Sequence, residues 1–136
     1  SLSLLNPKPK IPFIVYNGDV ISEIRLSDLL NFHIRNNSIA TMVVKPYELR
    51  NPYGVVKING NEIVGLKEKP ISKSYINTGV YAFDPLALKY FYKNKYLDMN
   101  TLFQNLIKKS KRVLAYPAYE TWLDVGRPKD LKNKVF

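Results

Sequence analysis

Ile11-Pro-Phe-Ile-Val-Tyr-Asn-Gly-Asp19 is the stretch on which the fold reading turns. Its apolar run stops at Asn17-Gly18-Asp19, the pattern of a buried strand that meets a tight turn. Ser27-Asp28 then offers a helix N-cap, with Leu29, Leu30, His33 and Ile34 spaced to share one helical face. Asn36-Asn37 marks the end of that helix. Ile39-Ala-Thr-Met-Val-Val44 is a second apolar, β-branched run. Strand, helix and strand in this order, with continuous apolar strands, predict a parallel βαβ unit covered on both faces.

Outward from this unit the pattern changes. Gly54-Val-Val-Lys-Ile58 and Ile63-Val-Gly-Leu66 flank Asn59-Gly60-Asn61-Glu62, whose Asn-Gly pair suits a primed hairpin turn. Gly79-Val-Tyr-Ala-Phe83 predicts another strand after a polar loop. Asp84-Pro85 reads as an N-cap with proline at the first helical position. Asp98 caps a further predicted helix that carries Leu102, Phe103, Leu106 and Ile107 at helical spacing. Val113-Leu-Ala-Tyr116 and Thr121-Trp-Leu-Asp124 predict late strands, and residues 127–134 a closing helix. Neither a repeat nor an interdomain linker interrupts the chain, so residues 1–136 read as a single domain.

Composition bounds the function. The 136 residues hold 46% hydrophobic and 24% charged side chains, the balance of a folded protein rather than a disordered tail. No cysteine and one histidine exclude disulfide frameworks, thiolate zinc clusters and Cys–His nucleophiles. The apolar runs are too short to span a bilayer, and the N-terminal residues lack signal-peptide order. The expected location is cytoplasmic, with no membrane partner. Twenty-one basic against eleven acidic residues give a net charge of +10. Such an excess suits nucleic acid, a membrane surface or phosphorylated small molecules. The densest cluster, Lys108, Lys109, Lys111 and Arg112, falls where a helix should end, and cations there favour the helix dipole. A solvated face therefore explains it without nucleic acid.

Ligands of open α/β sheets collect beyond the carboxyl ends of strands. Asp19 stands there, beside Gly18, which allows close backbone approach to a ligand. Asp124, before Val125-Gly126, has a similar setting. Two carboxylates at two strand ends can share one hard divalent cation, or can each simply belong to a turn. Glu68 and Lys69 in Lys67-Glu-Lys-Pro70 suit a sugar phosphate, the carboxylate accepting from hydroxyls and the ammonium facing phosphate. The alternative is a solvated strand end, from which Pro70 turns the chain away. Gly54 and Gly79 sit at predicted strand starts, where a ligand can touch backbone or a turn needs glycine. His33, on a predicted helix face, reads as structural. No phosphate-binding glycine loop of the Walker type, dinucleotide fingerprint or RNA-binding aromatic signature is present.

Taken in order, five segments resemble the sugar nucleotidyltransferases, which join a sugar 1-phosphate to a nucleoside triphosphate. Phe13-Ile-Val-Tyr-Asn-Gly-Asp19 resembles that family's strand ending in Gly-Asp. Pro52-Tyr-Gly-Val-Val56 resembles its Tyr/Phe-Gly-Val segment, and Leu66-Lys-Glu-Lys-Pro70 its Glu-Lys-Pro motif. Asn77-Thr-Gly-Val-Tyr81 resembles its Asn-x-Gly-x-Tyr strand, and Trp122-Leu-Asp-Val-Gly126 its Trp-x-Asp-x-Gly turn. The similarity is to bacterial members acting on mannose-, heptose- or aminosugar-type 1-phosphates.

The resemblance implies an α/β fold, with a mixed, mostly parallel sheet flanked by helices, Rossmann-like and incomplete on its N-terminal side. It implies Asp19 and Asp124 as Mg2+ ligands and, with Lys69, as the catalytic set. It also implies substrate contacts from Gly18, Gly54, Glu68, Lys69, Asn77 and Gly79, with a nucleoside triphosphate and a sugar 1-phosphate as partners. The family's glycine-rich signature loop is missing, and its usual length exceeds 136 residues. The expectation is therefore a C-terminal, sugar-phosphate-binding portion of a longer enzyme, inactive alone. Strand edges left bare by the missing half would favour self-association. Two other readings are a non-catalytic regulatory relative of the same fold and a basic nucleic-acid-binding module. Retention of Asp19, Glu68, Lys69 and Asp124 together disfavours the regulatory one.

Overall fold

In the computed structural model, residues 2–91 and 98–126 are described. The closing helix expected over residues 127–134, with the lysines at 129, 132 and 134, lies outside them. Four strands build the main sheet: β1 (Phe13–Tyr16), β3 (Ala40–Arg50), β6 (Ile71–Phe83) and β7 (Val113–Pro117). Their spatial order is β1-β6-β3-β7. β6 runs antiparallel to both β1 and β3, and β7 runs parallel to β3. Three strands thus share one direction and β6 opposes them, a mixed sheet.

β1, α1 (Leu26–Arg35) and β3 follow in the expected order. β1 and β3 also share a direction, but they are not neighbours, because β6 lies between them. A strand far along the chain fills the gap, which local apolar pattern does not encode. β6 is also longer than expected. The polar stretch Ile71-Ser-Lys-Ser-Tyr-Ile-Asn77 continues the strand, because Arg50 to Val44 of β3 supply it with a ladder. Gly79 consequently sits inside a strand rather than at its start.

Side chains alternate across β6. Tyr81 and Phe83 point to one face, where they pack with Ala40, Leu102, Phe103 and Leu106. Val80 and Ala82 point to the other, with Ile24, Leu29, Val43 and Ala118. α2 (Met99–Lys108) and the 3-10 turn Pro85–Tyr90 cover the first face, and α1 covers the second. Helices on both faces of a sheet make a three-layer α/β arrangement.

The caps show how the sequence sets these helices. Asp98 accepts from the Thr101 amide at 3.2 Å and Asp84 from the Leu86 amide at 2.8 Å, both as expected. At α1 the cap position is Arg25 instead of Ser27-Asp28. Asp28 falls in the first turn, where a carboxylate meets the positive end of the helix dipole, and sits 3.6 Å from Arg25. Leu29 and His33 are buried there, whereas Ile34 is half exposed, so the apolar stripe is narrower than its spacing suggested. His33 is structural: its Nδ1 lies 2.8 Å from Thr41 Oγ1 in the core.

Beyond the core, β3 and β6 continue as a two-stranded ribbon over residues 45–50 and 71–76. β4 (Val55–Asn59) and β5 (Glu62–Lys67) form a separate hairpin that the ribbon carries. Its loop is Gly60-Asn61, one residue later than the Asn-Gly pair. Only Gly60 takes positive φ there, at 57°, the pattern of a type II′ turn. β2 (Val20–Ser22) pairs antiparallel with β8 (Trp122–Asp124) in a two-stranded sheet of its own. That short sheet brings the two aspartate turns together.

Candidate functional site

Asp19 precedes β2 and Asp124 ends β8, and the β2–β8 register sets Val20 opposite Asp124. The Val125 amide donates to the Asp19 carbonyl at 2.9 Å, which ties the two turns at their backbones. Gly126 then measures the side chains. A Cβ placed on it would lie 3.1 Å from Asp124 Oδ1 and 3.2 Å from Asp19 Oδ2, so these oxygens stand no more than about 6.3 Å apart. The Gly126 amide also donates to Asp124 Oδ1 at 2.9 Å. A side chain at 126 would fill the space on which the two carboxylates converge.

That space opens into a cleft of about 270 Å³, lined among others by Asn17, Asp19, Asn77, Gly79, Trp122 and Asp124. Its floor is the middle of β6. Gly79 has φ 83°, and a Cβ there would meet Asn17 Nδ2 at 2.7 Å, so only glycine fits. The Asn17 amide donates to the Gly79 carbonyl at 2.9 Å and the Trp122 indole N–H to the Thr78 carbonyl at 2.8 Å. Thr78 is itself buried and donates to the Val43 carbonyl at 2.8 Å. These bonds fix the floor to the sheet and to both aspartate turns.

Asn77 is held on three sides. Its carbonyl accepts from the Gly79 amide at 2.9 Å, and its amide group donates to Tyr81 Oη at 2.9 Å and to Asn100 Oδ1 at 3.0 Å. Burial raises the Tyr81 pKa above its ordinary value; the Asn77 hydrogen bond opposes that shift and Asp98 adds to it. Tyr81 is therefore a neutral phenol at physiological pH.

Of the residues singled out in sequence, Asp19, Asp124, Asn77 and Gly79 line this cleft, and Gly18 adjoins Asp19 in the β1–β2 turn. Gly54, Glu68 and Lys69 do not line it. They meet at the base of the β4–β5 hairpin, where a Cβ on Gly54 would lie 3.3 Å from Glu68 Oε2. The Lys69 amide donates to the Tyr53 carbonyl at 3.2 Å, and Lys69 takes φ 43°. From Ile71, just beyond that base, to Asn77 is about 20 Å of strand, at ~3.4 Å per residue. Sequence reasoning gave no role to Asn17, Tyr81, Asn100 or Trp122 in the cleft. Asn17, Tyr81 and Trp122 stood within segments already singled out. Asn100 had no signal, since its place depends on how α2 packs over β6.

The carboxylate pair suits a hard cation. Magnesium takes oxygen ligands, commonly one or two carboxylates plus substrate phosphates, and leaves other positions to water. Among the described residues no group of three or more His, Cys, Asp or Glu could hold a metal. Soft or imidazole-bound metals have no donor set there. No described helix is long and apolar enough to cross a membrane.

The family model "Nucleotidyl transferase" matches residues 2–134. The mannose-1-phosphate guanyltransferase of Yarrowia lipolytica is 32% identical over 128 residues, covering 90% of this chain and 35% of that protein. The UTP–glucose-1-phosphate uridylyltransferase of Synechocystis is 31% identical over 133 residues, covering 92% and 34%. The chain spans about a third of the length of these relatives. Among solved structures, the inositol-1-phosphate CTP transferase of T. maritima superposes with TM-score 0.59 at 18% identity, over 92% of this chain and 53% of that one. HddC of Yersinia pseudotuberculosis, complexed with GMP-PN, superposes with TM-score 0.56 at 20% identity, over 89% and 52%. These likenesses establish the nucleotidyltransferase fold, and the match of the family model over nearly the whole chain shows that it belongs to the nucleotidyl transferase family.

Proposed function

We propose that this chain supplies the sugar-phosphate side of a sugar-1-phosphate nucleotidyltransferase. The observation that carries the reading is the convergence of Asp19 and Asp124 on Gly126 at the edge of a polar cleft. In the reaction, an oxygen of the sugar phosphate attacks the α-phosphorus of a nucleoside triphosphate. The new O–Pα bond forms as the bond from Pα to the bridging oxygen breaks, and pyrophosphate leaves. A phosphate is already ionised at neutral pH, so this step needs no histidine base.

The chain's residues then have distinct tasks. Asp19 and Asp124 hold a divalent cation, Mg2+ by donor chemistry, which when bound neutralises charge on phosphate oxygens. Asn77 and Gly79 shape the floor against which the sugar lies, and the hydrogen bonds around Asn77 hold that floor in one geometry. Such preorganisation lowers the barrier through orientation instead of covalent chemistry. Glu68 and Lys69, beside Gly54 on the hairpin arm, lie outside this cleft, so a sugar held against Asn77 takes no contact from them in this geometry. Similar identity to a guanyl- and a uridylyltransferase fits a segment that does not read the nucleobase.

The test is pyrophosphate release by the protein in its full natural length, with Mg2+, a panel of triphosphates, and mannose or glucose 1-phosphate. Release that depends on the sugar phosphate and is lost in Asp19→Ala and Asp124→Ala supports the reading. Release that survives Asp19→Ala contradicts it.

A further inference from the structure

The hydrogen bonds of the cleft fix the orientation of two side-chain amides in sequence. A backbone N–H can only donate, so the Gly79 amide at 2.9 Å requires the Asn77 carbonyl on its side. The NH2 of Asn77 must then face Tyr81 and Asn100. Both protons of that NH2 are used, which leaves Asn77 no donor for a ligand. Because Asn77 donates to it, Asn100 must present its carbonyl inward, at 3.0 Å. The NH2 of Asn100 is thereby turned the other way, on an exposed residue that lines the cleft.

The consequence is an asymmetry in what the cleft offers. Asp19 and Asp124 contribute acceptors, and Asn77 keeps only spare acceptor capacity on its carbonyl. Donors come from the Tyr81 hydroxyl, which accepts from Asn77 and keeps its own proton, and from the outward NH2 of Asn100, in the first turn of α2 beside the Asp98 cap. α2 packs on the sheet through Leu102, Phe103 and Leu106, so this donor stands on a rigid element.

We propose that Asn100 is a specificity-determining residue, whose outward amide donates to a hydroxyl or carbonyl oxygen on the sugar ring of the bound sugar 1-phosphate. This rests on the cleft being the sugar-phosphate site. A site built to hydrogen-bond a substituent discriminates against analogues that lack it. Asn100 would therefore select oxygen-bearing rings over deoxygenated ones at that position. A sequence motif centred on Asn77 does not disclose this, because the donor comes from another element.

The test titrates the 136-residue chain, in the presence of Mg2+, with glucose 1-phosphate, mannose 1-phosphate and inorganic phosphate, followed by 15N–1H correlation spectra. Asn100→Asp keeps an oxygen for Asn77 and replaces the outward donor by an acceptor. A carboxylate in the first helical turn should not lower stability, which a urea midpoint checks. Asn100→Ala removes the donor without adding charge. The expected result is that the side-chain NH2 pair of Asn100 shifts on adding a sugar 1-phosphate. The preference for sugar 1-phosphate over inorganic phosphate should fall about tenfold in both variants, the scale of one lost hydrogen bond. An unchanged preference in Asn100→Ala overturns the role of Asn100 and leaves the proposed function standing. Failure of the unsubstituted chain to bind any sugar 1-phosphate overturns both.

Discussion

Gly79→Ala puts the geometry of the cleft floor to a quantitative test. Gly79 has φ 83°, a left-handed conformation in which an L-residue costs about 1–2 kcal/mol. The new methyl would lie 2.7 Å from Asn17 Nδ2, 3.1 Å from Asn17 Cγ and 3.1 Å from Val20 Cγ2. Asn17 is held by its backbone bond to the Gly79 carbonyl, so relief must come from moving its side chain or from shifting the β1–β2 turn. Overpacking of this kind costs about 1–3 kcal/mol, and the lower entropy of the unfolded alanine chain returns about 0.4–1 kcal/mol. The net loss is about 3 kcal/mol at the middle of these ranges. With a urea slope of about 2 kcal/mol/M, the middle of the range for small domains, the midpoint should fall by about 1.5 M. Gly18→Ala is the matched control: nothing lies within 4 Å of its Cβ and its φ is not positive, so its midpoint should stay within about 0.3 M. Urea unfolding followed by Trp122 fluorescence reads both. If Gly79→Ala behaves like Gly18→Ala, the assignment of strain and contact at residue 79 is wrong.

His33 gives a pH dependence of known sign. Burial lowers its pKa below the ordinary 6.5, against a smaller opposing pull from Asp84, and its Nε2 has no partner in the core. The unfolded chain then binds more protons between the folded and unfolded pKa values. Stability is complete above about pH 6.5 and falls as pH drops below it, by up to about 1.4 kcal/mol per pH unit. Urea midpoints at pH 7.5 and 5.5 should differ in the unsubstituted chain and converge in His33→Gln; equal slopes in the two would refute this. The β4–β5 hairpin exposes Val56, Ile58, Ile63 and Leu66, so the chain should associate with rising concentration in sedimentation, and Ile58→Lys with Leu66→Lys should suppress it. A monomer at all concentrations would contradict that expectation.

The local signals in this sequence were strong where local physics decides. Asp84-Pro85 and Asp98 cap the elements they precede, because a short acceptor beside the first free amides stabilises a helix start wherever it lies. The apolar runs at β1 and β3 likewise form strands. Strand pairing was not legible. Residues 71–77 mix Ile71, Tyr75 and Ile76 with polar side chains on a largely exposed ribbon, so their pattern does not mark a buried strand until β3 is placed beside them. The site divides in the same way. Asp19 and Asp124 stand beside Gly18 and Gly126 in turns at strand ends, and could be singled out. Asn17 reaches the cleft through the β1–β6 pairing, Trp122 through the β2–β8 pairing and Asn100 through the seat of α2. Glu68 and Lys69 meet Gly54 at the hairpin base and not in the cleft, a separation that comes from the length of β6 and that motif order does not carry.

The central claim is that Asp19 and Asp124 form one cation site. Titration of the 15N-labelled chain with Mn2+, a paramagnetic stand-in for Mg2+, addresses it most directly. The account predicts selective loss of the Val20, Val125 and Gly126 amide signals at low Mn2+, reversed by excess Mg2+ and abolished in Asp19→Asn and in Asp124→Asn. Broadening that persists unchanged in both variants, or that leaves these amides untouched, would contradict it.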